Sequence, residues 1–208
     1  MNAEQIRSSQ KFVYFFAALF LTLSLSELPG IAVEDWLTKD YKYVTKGEQY
    51  VFVMLAPSQD EKSPAEEGRE DPEIRKIYHG SGLYRNDGST IPLWTVDWYS
   101  TLVHVSSDGL YLAQLGPWPA YQDQKDFEKG GPALEQLALA FYKEGKLFKK
   151  YKIRDLIQNS KKLPKGRSHF QWKERIWFDD VSSRLNVITH DEQKLIFDIR
   201  SGKIVERI

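Results

Sequence analysis

The feature that most constrains the fold is a series of short apolar runs, each closed by a glycine-containing turn. Apolar and polar residues alternate within several runs, so that Leu195, Phe197 and Ile199 fall on one face and Ile196 and Asp198 on the other. Alternation with period two is typical of a half-buried β-strand. The turns recur at Asn86-Asp87-Gly88, Ser107-Asp108-Gly109, Lys143-Glu144-Gly145 and Arg200-Ser201-Gly202. This pattern predicts a mainly β fold built as an antiparallel meander of hairpins.

Two of these hairpins resemble each other in sequence. Residues 139–148 read LAFYKEGKLF and residues 195–205 read LIFDIRSGKIV, and each turn closes on Gly-Lys. Phe197, Asp198, Gly202 and Lys203 form a strand-turn-strand motif that resembles the blades of quinoprotein-like and lactonase-like β-propellers, which are related to WD40-like repeats. The resemblance covers residues 82–208 and extends to small exported bacterial proteins.

The length of the chain limits what this resemblance implies. A propeller blade takes about 40 to 45 residues, which leaves room for three or four blades. We therefore expect a partial propeller, an oligomeric propeller or a β-sandwich, and the sequence does not choose among them.

The N-terminus has the pattern of a secretion signal. Arg7 and Lys11 precede the uncharged run Phe12–Leu25, and Pro29 follows. A basic leader, a short apolar segment and a small-residue exit are typical of a cleaved signal peptide, here residues 1–32. Two alternatives remain: an uncleaved helix that tethers the domain through residues 12–32, and a buried core helix. We expect an exported protein, either periplasmic or extracellular.

The remaining residues, 33–208, are expected to form a single mainly β domain. Residues 57–75 interrupt it with a proline-containing acidic segment, whose net charge from Asp60 to Glu73 is −5, from seven acidic and two basic side chains. Such a composition predicts a solvated loop.

Composition excludes several functional classes. The chain contains no cysteine, which rules out thiolate zinc sites, disulfides and a cysteine nucleophile. Its 29 basic and 29 acidic side chains balance, so nucleic acid is not an expected partner. The histidines lack the spacing of a metal site; they are His79, His104, His169 and His190. We predict no metal, no cofactor and no catalytic residue, and we expect His104 to be a hydrogen-bonded strand residue.

Aromatic side chains on loops are the candidate ligand-binding residues. Trp118 lies between two prolines, Tyr121 follows it, and His169 and Trp172 occupy a second loop-like stretch. Flat aromatic rings on rigid loops give contact area at low entropic cost, which suits an envelope protein or a glycan as partner. The alternative is that Trp118 folds back over one end of a sheet.

Residues 143–175 form a basic stretch. Twelve lysines and arginines stand against three acidic residues there, a net charge of +9. Such a face can bind anionic lipid headgroups. The alternative is an ordinary solvated surface that the acidic loop partly offsets.

The sequence favours a non-enzymatic binding or assembly domain at the cell envelope. An exported carboxylate- or metal-dependent hydrolase of lactonase-like type, acting through Asp97, Asp179 or Asp180, is the first alternative. An anionic membrane-surface binder that uses residues 143–175 is the second.

Overall fold

A computed structural model describes residues 38–57, 70–120, 131–166 and 168–208 of the protein, and these residues contain three four-stranded antiparallel sheets. The first sheet contains β1 (Tyr41–Val44), β2 (Tyr50–Met54), β3 (Gly82–Arg85) and β4 (Trp94–Thr95). The second contains β5 (Val103–Val105), β6 (Tyr111–Leu115), β7 (Leu137–Lys143) and β8 (Lys146–Lys152). The third contains β9 (Lys173–Asp179), β10 (Arg184–Thr189), β11 (Lys194–Asp198) and β12 (Lys203–Arg207).

Each sheet is a meander, because its strands pair in the order in which they follow along the chain. The prediction of a mainly β, antiparallel fold is therefore confirmed. The sheets of the described residues do not form a closed propeller. These residues belong to one compact unit, Asp35–Ile208, and the predicted signal or anchor segment, residues 1–32, lies outside them.

In the described residues, helical structure is limited to short segments between strands. These are α1 (Pro72–Ile77), α2 (Ile153–Leu156) and 3-10 helices at Pro132–Glu135 and Ser160–Lys162. Helix α1 corrects the predicted loop 57–75 at its C-terminal end, residues 72–75, and residues 58–69 of that loop lie outside the described residues. Asp71 caps it by accepting hydrogen bonds from the amides of Glu73 (2.9 Å) and Ile74 (3.1 Å), and Pro72 occupies its first position. A capping aspartate followed by proline favours helix initiation even within an acidic segment.

The inner strands of the second sheet, β6 and β7, are buried on both faces. Alternate residues of its strands, including Leu112 and Tyr142, pack against Phe52 and Leu83 of the first sheet. The intervening residues, including Leu139 and Phe141, pack against the third sheet, where the rings of Phe141 and Phe197 lie 5.6 Å apart. A sheet that is covered on both sides needs apolar side chains at successive positions, which explains the continuous run in β7.

The face of the first sheet that points away from the second sheet is covered by helix α1. Val51, Val53 and Tyr84 point away from the second sheet and pack against Ile74 and Tyr78, which lie in and just after α1. Helix α1 therefore closes one end of the stack.

The two similar hairpins occupy equivalent positions in the stack. A Cβ atom at Gly145, in the β7–β8 turn, would lie 2.5 Å from the carbonyl oxygen of Thr95 in β4. A Cβ atom at Gly202, in the β11–β12 turn, would lie 2.8 Å from the Cβ of Lys149 in β8. Each turn thus lies against the outer strand of the preceding sheet, at a distance that only glycine permits.

Candidate functional site

Among the twelve strands of the described residues, the most exposed is β8, the outer strand of the second sheet. The hairpin that creates it turns through Glu144 and Gly145, whose φ angles are 49° and 76°. Two successive residues with positive φ form the type of tight turn that matches the twist of an antiparallel pair. Beyond the turn, every residue of β8 except Tyr151 is exposed.

A bulge in this hairpin brings apolar side chains into the exposed strand. Lys149 pairs with Phe141 and Leu147 with Tyr142, so that Phe148 is an extra residue between them. Leu147 is 51 % exposed and Phe148 is 40 % exposed. A bulge redirects side chains locally, and this one interrupts the alternation of faces along β8.

Lysines surround these two apolar side chains. We define the basic edge as the exposed group at the β7–β8 hairpin, which comprises Lys143, Lys146, Leu147, Phe148, Lys149 and Lys150. Among the described residues, no carboxylate forms an ion pair with any of its four lysines. The ammonium group of Lys149 lies 5.0 Å from the ring centre of Tyr151, and that of Lys143 lies 5.9 Å from that of Tyr111.

The rest of the predicted basic face is partly neutralised. Glu135 accepts ion pairs from both Lys152 and Arg154, each at 2.6 Å, and these contacts lower the pKa of its carboxyl group. Lys162 pairs with Glu192 at 2.7 Å. The lysines of the basic edge thus differ from Lys152, Arg154 and Lys162, because they pair with no carboxylate of the described residues.

The predicted aromatic ligand-binding residues separate into two environments. Trp118 and His169 meet at the surface, with ring centres 6.4 Å apart in an edge-on arrangement. The backbone supports this contact, because Ala120 and His169 form an antiparallel bridge. Trp172 is instead buried in the core between the second and third sheets. Tyr121 lies outside the described residues.

Two of the three carboxylates of the hydrolase alternative accept hydrogen bonds from nearby turns. Asp179 accepts hydrogen bonds from Ser182 Oγ (2.6 Å) and the amide of Val181 (3.1 Å), and the Ser182 bond lowers its pKa. Asp180 accepts a hydrogen bond from the amide of Ser107 (2.9 Å). Asp97 lies between β4 and β5. Within the described part of the chain, no three histidine or carboxylate side chains are grouped to hold a metal ion.

One chemically unusual residue was not predicted. His104 lies in β5 with its ring 6.0 Å from Phe178 and 6.4 Å from Tyr43, measured between ring centres. Its Nε2 atom is buried and has no hydrogen-bond partner, which contradicts the expectation of a hydrogen-bonded strand histidine. Burial lowers the pKa of His104 to about 4. The sequence offers one signal for this residue, namely that His104 lies between two valines of a predicted strand. It does not show that His104 is buried, because the aromatic rings that cover His104 come from distant strands.

Comparison with known proteins does not identify a function for any of these surfaces. No protein-family model matches the chain, and no curated protein and no solved structure is significantly similar to it. In the described residues, no helix has both the length and the apolar character needed to span a membrane.

Proposed function

We propose that the protein is an exported, non-enzymatic binding domain of the cell envelope that docks on an anionic membrane surface through its basic edge. The observation that carries the proposal is the composition of β8. This strand places Leu147 and Phe148, about half exposed, among Lys146, Lys149 and Lys150, which have no carboxylate partner in the described residues.

The charge and the apolar side chains have complementary roles at a bilayer. A lysine near an anionic leaflet contributes about 1 kcal/mol of attraction, so the four lysines, offset by the exposed Glu144 of the turn, supply about 3 kcal/mol. Leu147 and Phe148 would enter the interface between headgroups and acyl chains, while the lysine stems reach the phosphates. Electrostatic attraction would thus bring the hairpin to the surface and apolar contact would hold it there.

An edge strand also carries lysines for another reason, namely to prevent pairing with the edge of another sheet. That role requires charge alone. Leu147 and Phe148 work against it, because exposed apolar residues on an edge strand promote association. The combination of both residue types therefore favours a binding surface.

The proposed architecture and location are consistent with this role. We infer that the three meanders are an open arc of propeller-like blades, since each later turn packs on the outer strand of the sheet before it. The predicted signal, residues 1–32, would deliver the domain to the envelope, whether it is removed or keeps the domain tethered.

Vesicle sedimentation tests the proposal. The purified full-length chain is mixed with phosphatidylcholine vesicles with and without phosphatidylglycerol, at low and at high salt. We expect strong binding only to the anionic vesicles, and binding that weakens as salt rises. The variant Leu147→Ser/Phe148→Ser should reduce the binding that persists at intermediate salt.

All variants keep residues 1–32, so any contribution from that segment is common to them. Equal binding to the two kinds of vesicle, or binding insensitive to salt, would contradict the proposal.

A further inference from the structure

The chain contains two Asp-Gly dipeptides, and both lie in turns of the meander. Asp87-Gly88 belongs to the turn that joins β3 to β4, and Asp108-Gly109 belongs to the turn that joins β5 to β6. Both glycines have a left-handed backbone, with φ angles of 89° and 70°. The two dipeptides are identical in sequence, but their surroundings in the fold differ.

An Asp-Gly sequence can rearrange without an enzyme. The backbone nitrogen of the glycine attacks the carboxyl carbon of the aspartate, so that a carbon–nitrogen bond forms and one carboxyl oxygen leaves as water with the proton of the amide. Glycine permits this attack because it has no Cβ atom to hinder the approach. Water then opens the cyclic imide at either carbonyl group. One opening restores aspartate, and the other gives isoaspartate, whose main chain runs through the former side chain.

The turn at Asp87 favours this attack. Its Oδ1 atom accepts a hydrogen bond from the amide of Ser89 (3.0 Å), and this bond closes a small ring that includes the nitrogen of Gly88 and keeps the carboxyl carbon near it. The nitrogen of Gly88 forms no hydrogen bond with the described residues, and a Cβ atom at Gly88 would meet nothing within 4 Å. Asp87 and Gly88 are both exposed. Nothing in the described structure therefore holds this peptide unit in place against the attack.

The turn at Asp108 opposes the same attack. Its carboxylate also accepts the amide two residues further on, that of Leu110 (3.0 Å), but it accepts the hydroxyl group of Ser106 as well (2.5 Å). The nitrogen of Gly109 donates to the carbonyl oxygen of Ser106 (2.9 Å). Gly109 is buried, and a Cβ atom there would lie 2.7 Å from the side chain of Leu83. Imide formation requires rotation of this peptide unit, so the turn would first have to unpack.

We propose that Asp87-Gly88 is a site of spontaneous isoaspartate formation in the folded protein and that the fold protects Asp108-Gly109 from the same reaction. The product carries its new carboxylate on an exposed turn, where an enzyme that methylates isoaspartate can reach it. This inference does not depend on the membrane proposal, since the reaction needs neither lipid nor a residue of the basic edge.

Peptide mapping of the full-length chain after prolonged incubation in neutral buffer provides the test. Mass spectrometry with electron-transfer fragmentation distinguishes isoaspartate from aspartate at each site. We expect isoaspartate to accumulate at Asp87 at least about tenfold faster than at Asp108, because Asp108 must first lose hydrogen bonds and packing. In the urea-unfolded chain the two sites should react at similar rates, since each aspartate is followed by glycine.

Two substitutions at Asp87 are the matched variants. Asp87→Asn should rearrange faster than the unmodified protein, because an amide loses ammonia more readily than a carboxylate loses water. Asp87→Glu should not rearrange at this position, because its longer side chain would have to close a larger ring. Neither substitution should change the rate at Asp108. Equal rates at the two sites in the folded protein would overturn the proposal, and so would a folded protein that forms isoaspartate at Asp87 no faster than at Asp108 while the unfolded chain forms it at both.

Discussion

The guanidinium group of Arg75 donates two hydrogen bonds to the carboxylate of Asp40, from Nε to Oδ2 at 2.8 Å and from a terminal nitrogen to Oδ1 at 3.0 Å. The same carboxylate accepts the amides of Ala56 (2.6 Å) and Asp71 (2.9 Å). It therefore links the end of β2 to the start of α1. Burial alone would raise the pKa of Asp40, but these hydrogen bonds outweigh that effect and lower it.

Asp40→Asn should destabilise the protein by about 3 kcal/mol, because it leaves Arg75 without its buried counter-charge and replaces one acceptor by a donor. Urea unfolding at neutral pH measures the change. Asp87→Asn is the control, since Asp87 is exposed and accepts only the amide of Ser89 in the described structure (3.0 Å). We expect this control to change stability by less than about 0.5 kcal/mol. Equal effects of the two substitutions would show that the Asp40 contacts contribute little.

His104 should make the fold sensitive to mild acid. Its pKa is about 4 in the folded protein, whereas an unfolded histidine titrates near pH 6.5. Between these values the unfolded state binds more protons, so the free energy of unfolding falls as the pH is lowered. The gap between the two pKa values corresponds to about 3 kcal/mol, and the loss is complete below pH 4.

Unfolding curves of His104→Leu measured from pH 7 to pH 4 test this expectation. The variant should keep most of its stability across the range, and leucine removes the unpaired ring nitrogen without adding charge. His190, whose pKa is also lowered by burial, should retain a smaller dependence of the same sign. Exposed His79 provides the control, so that His79→Gln should respond to pH like the unmodified protein. An unchanged pH dependence in His104→Leu would contradict the assignment.

Gly202→Ala should reveal the contact between the second and third sheets. Both Gly202 (φ 64°) and Gly88 (φ 89°) have a left-handed backbone that costs about 1 kcal/mol for alanine. At Gly88 a Cβ atom meets nothing within 4 Å, whereas at Gly202 it would press on Lys149. Thermal unfolding should therefore show a further loss of about 1 kcal/mol or more for Gly202→Ala than for Gly88→Ala. Equal losses would mean that the turn moves freely away from β8.

Sequence reasoning succeeded where local signals decide the structure. The Gly-Lys turns at Gly145 and Gly202 correctly predicted the β7–β8 and β11–β12 hairpins, because tight turns are specified by the residues within them. Strand β9, Lys173–Asp179, was missed. Its side chains are charged or partly exposed on both faces, and only pairing with β10 defines it as a strand.

Long-range relationships were beyond the sequence. Asp40 and Arg75 are separated by 35 positions, and the rings around His104 come from β1 and β9. For the candidate site, the sequence identified the basic stretch 143–175. It did not show which of the basic residues there form ion pairs and which do not. Glu135 neutralises Lys152 and Arg154 from outside that stretch, and the bulge at Phe148 changes which side chains are exposed.

The central claim is that the basic edge binds anionic membranes, and the most direct measurement compares two variants of equal net charge. Lys146→Gln/Lys149→Gln/Lys150→Gln removes three lysines of the basic edge, and Lys42→Gln/Lys76→Gln/Lys161→Gln removes three exposed lysines elsewhere. At about 1 kcal/mol for each lysine, the first variant should bind phosphatidylglycerol vesicles about 100-fold more weakly than the unmodified protein. The second should bind within about threefold of the unmodified protein, and equal weakening in the two variants would contradict the claim.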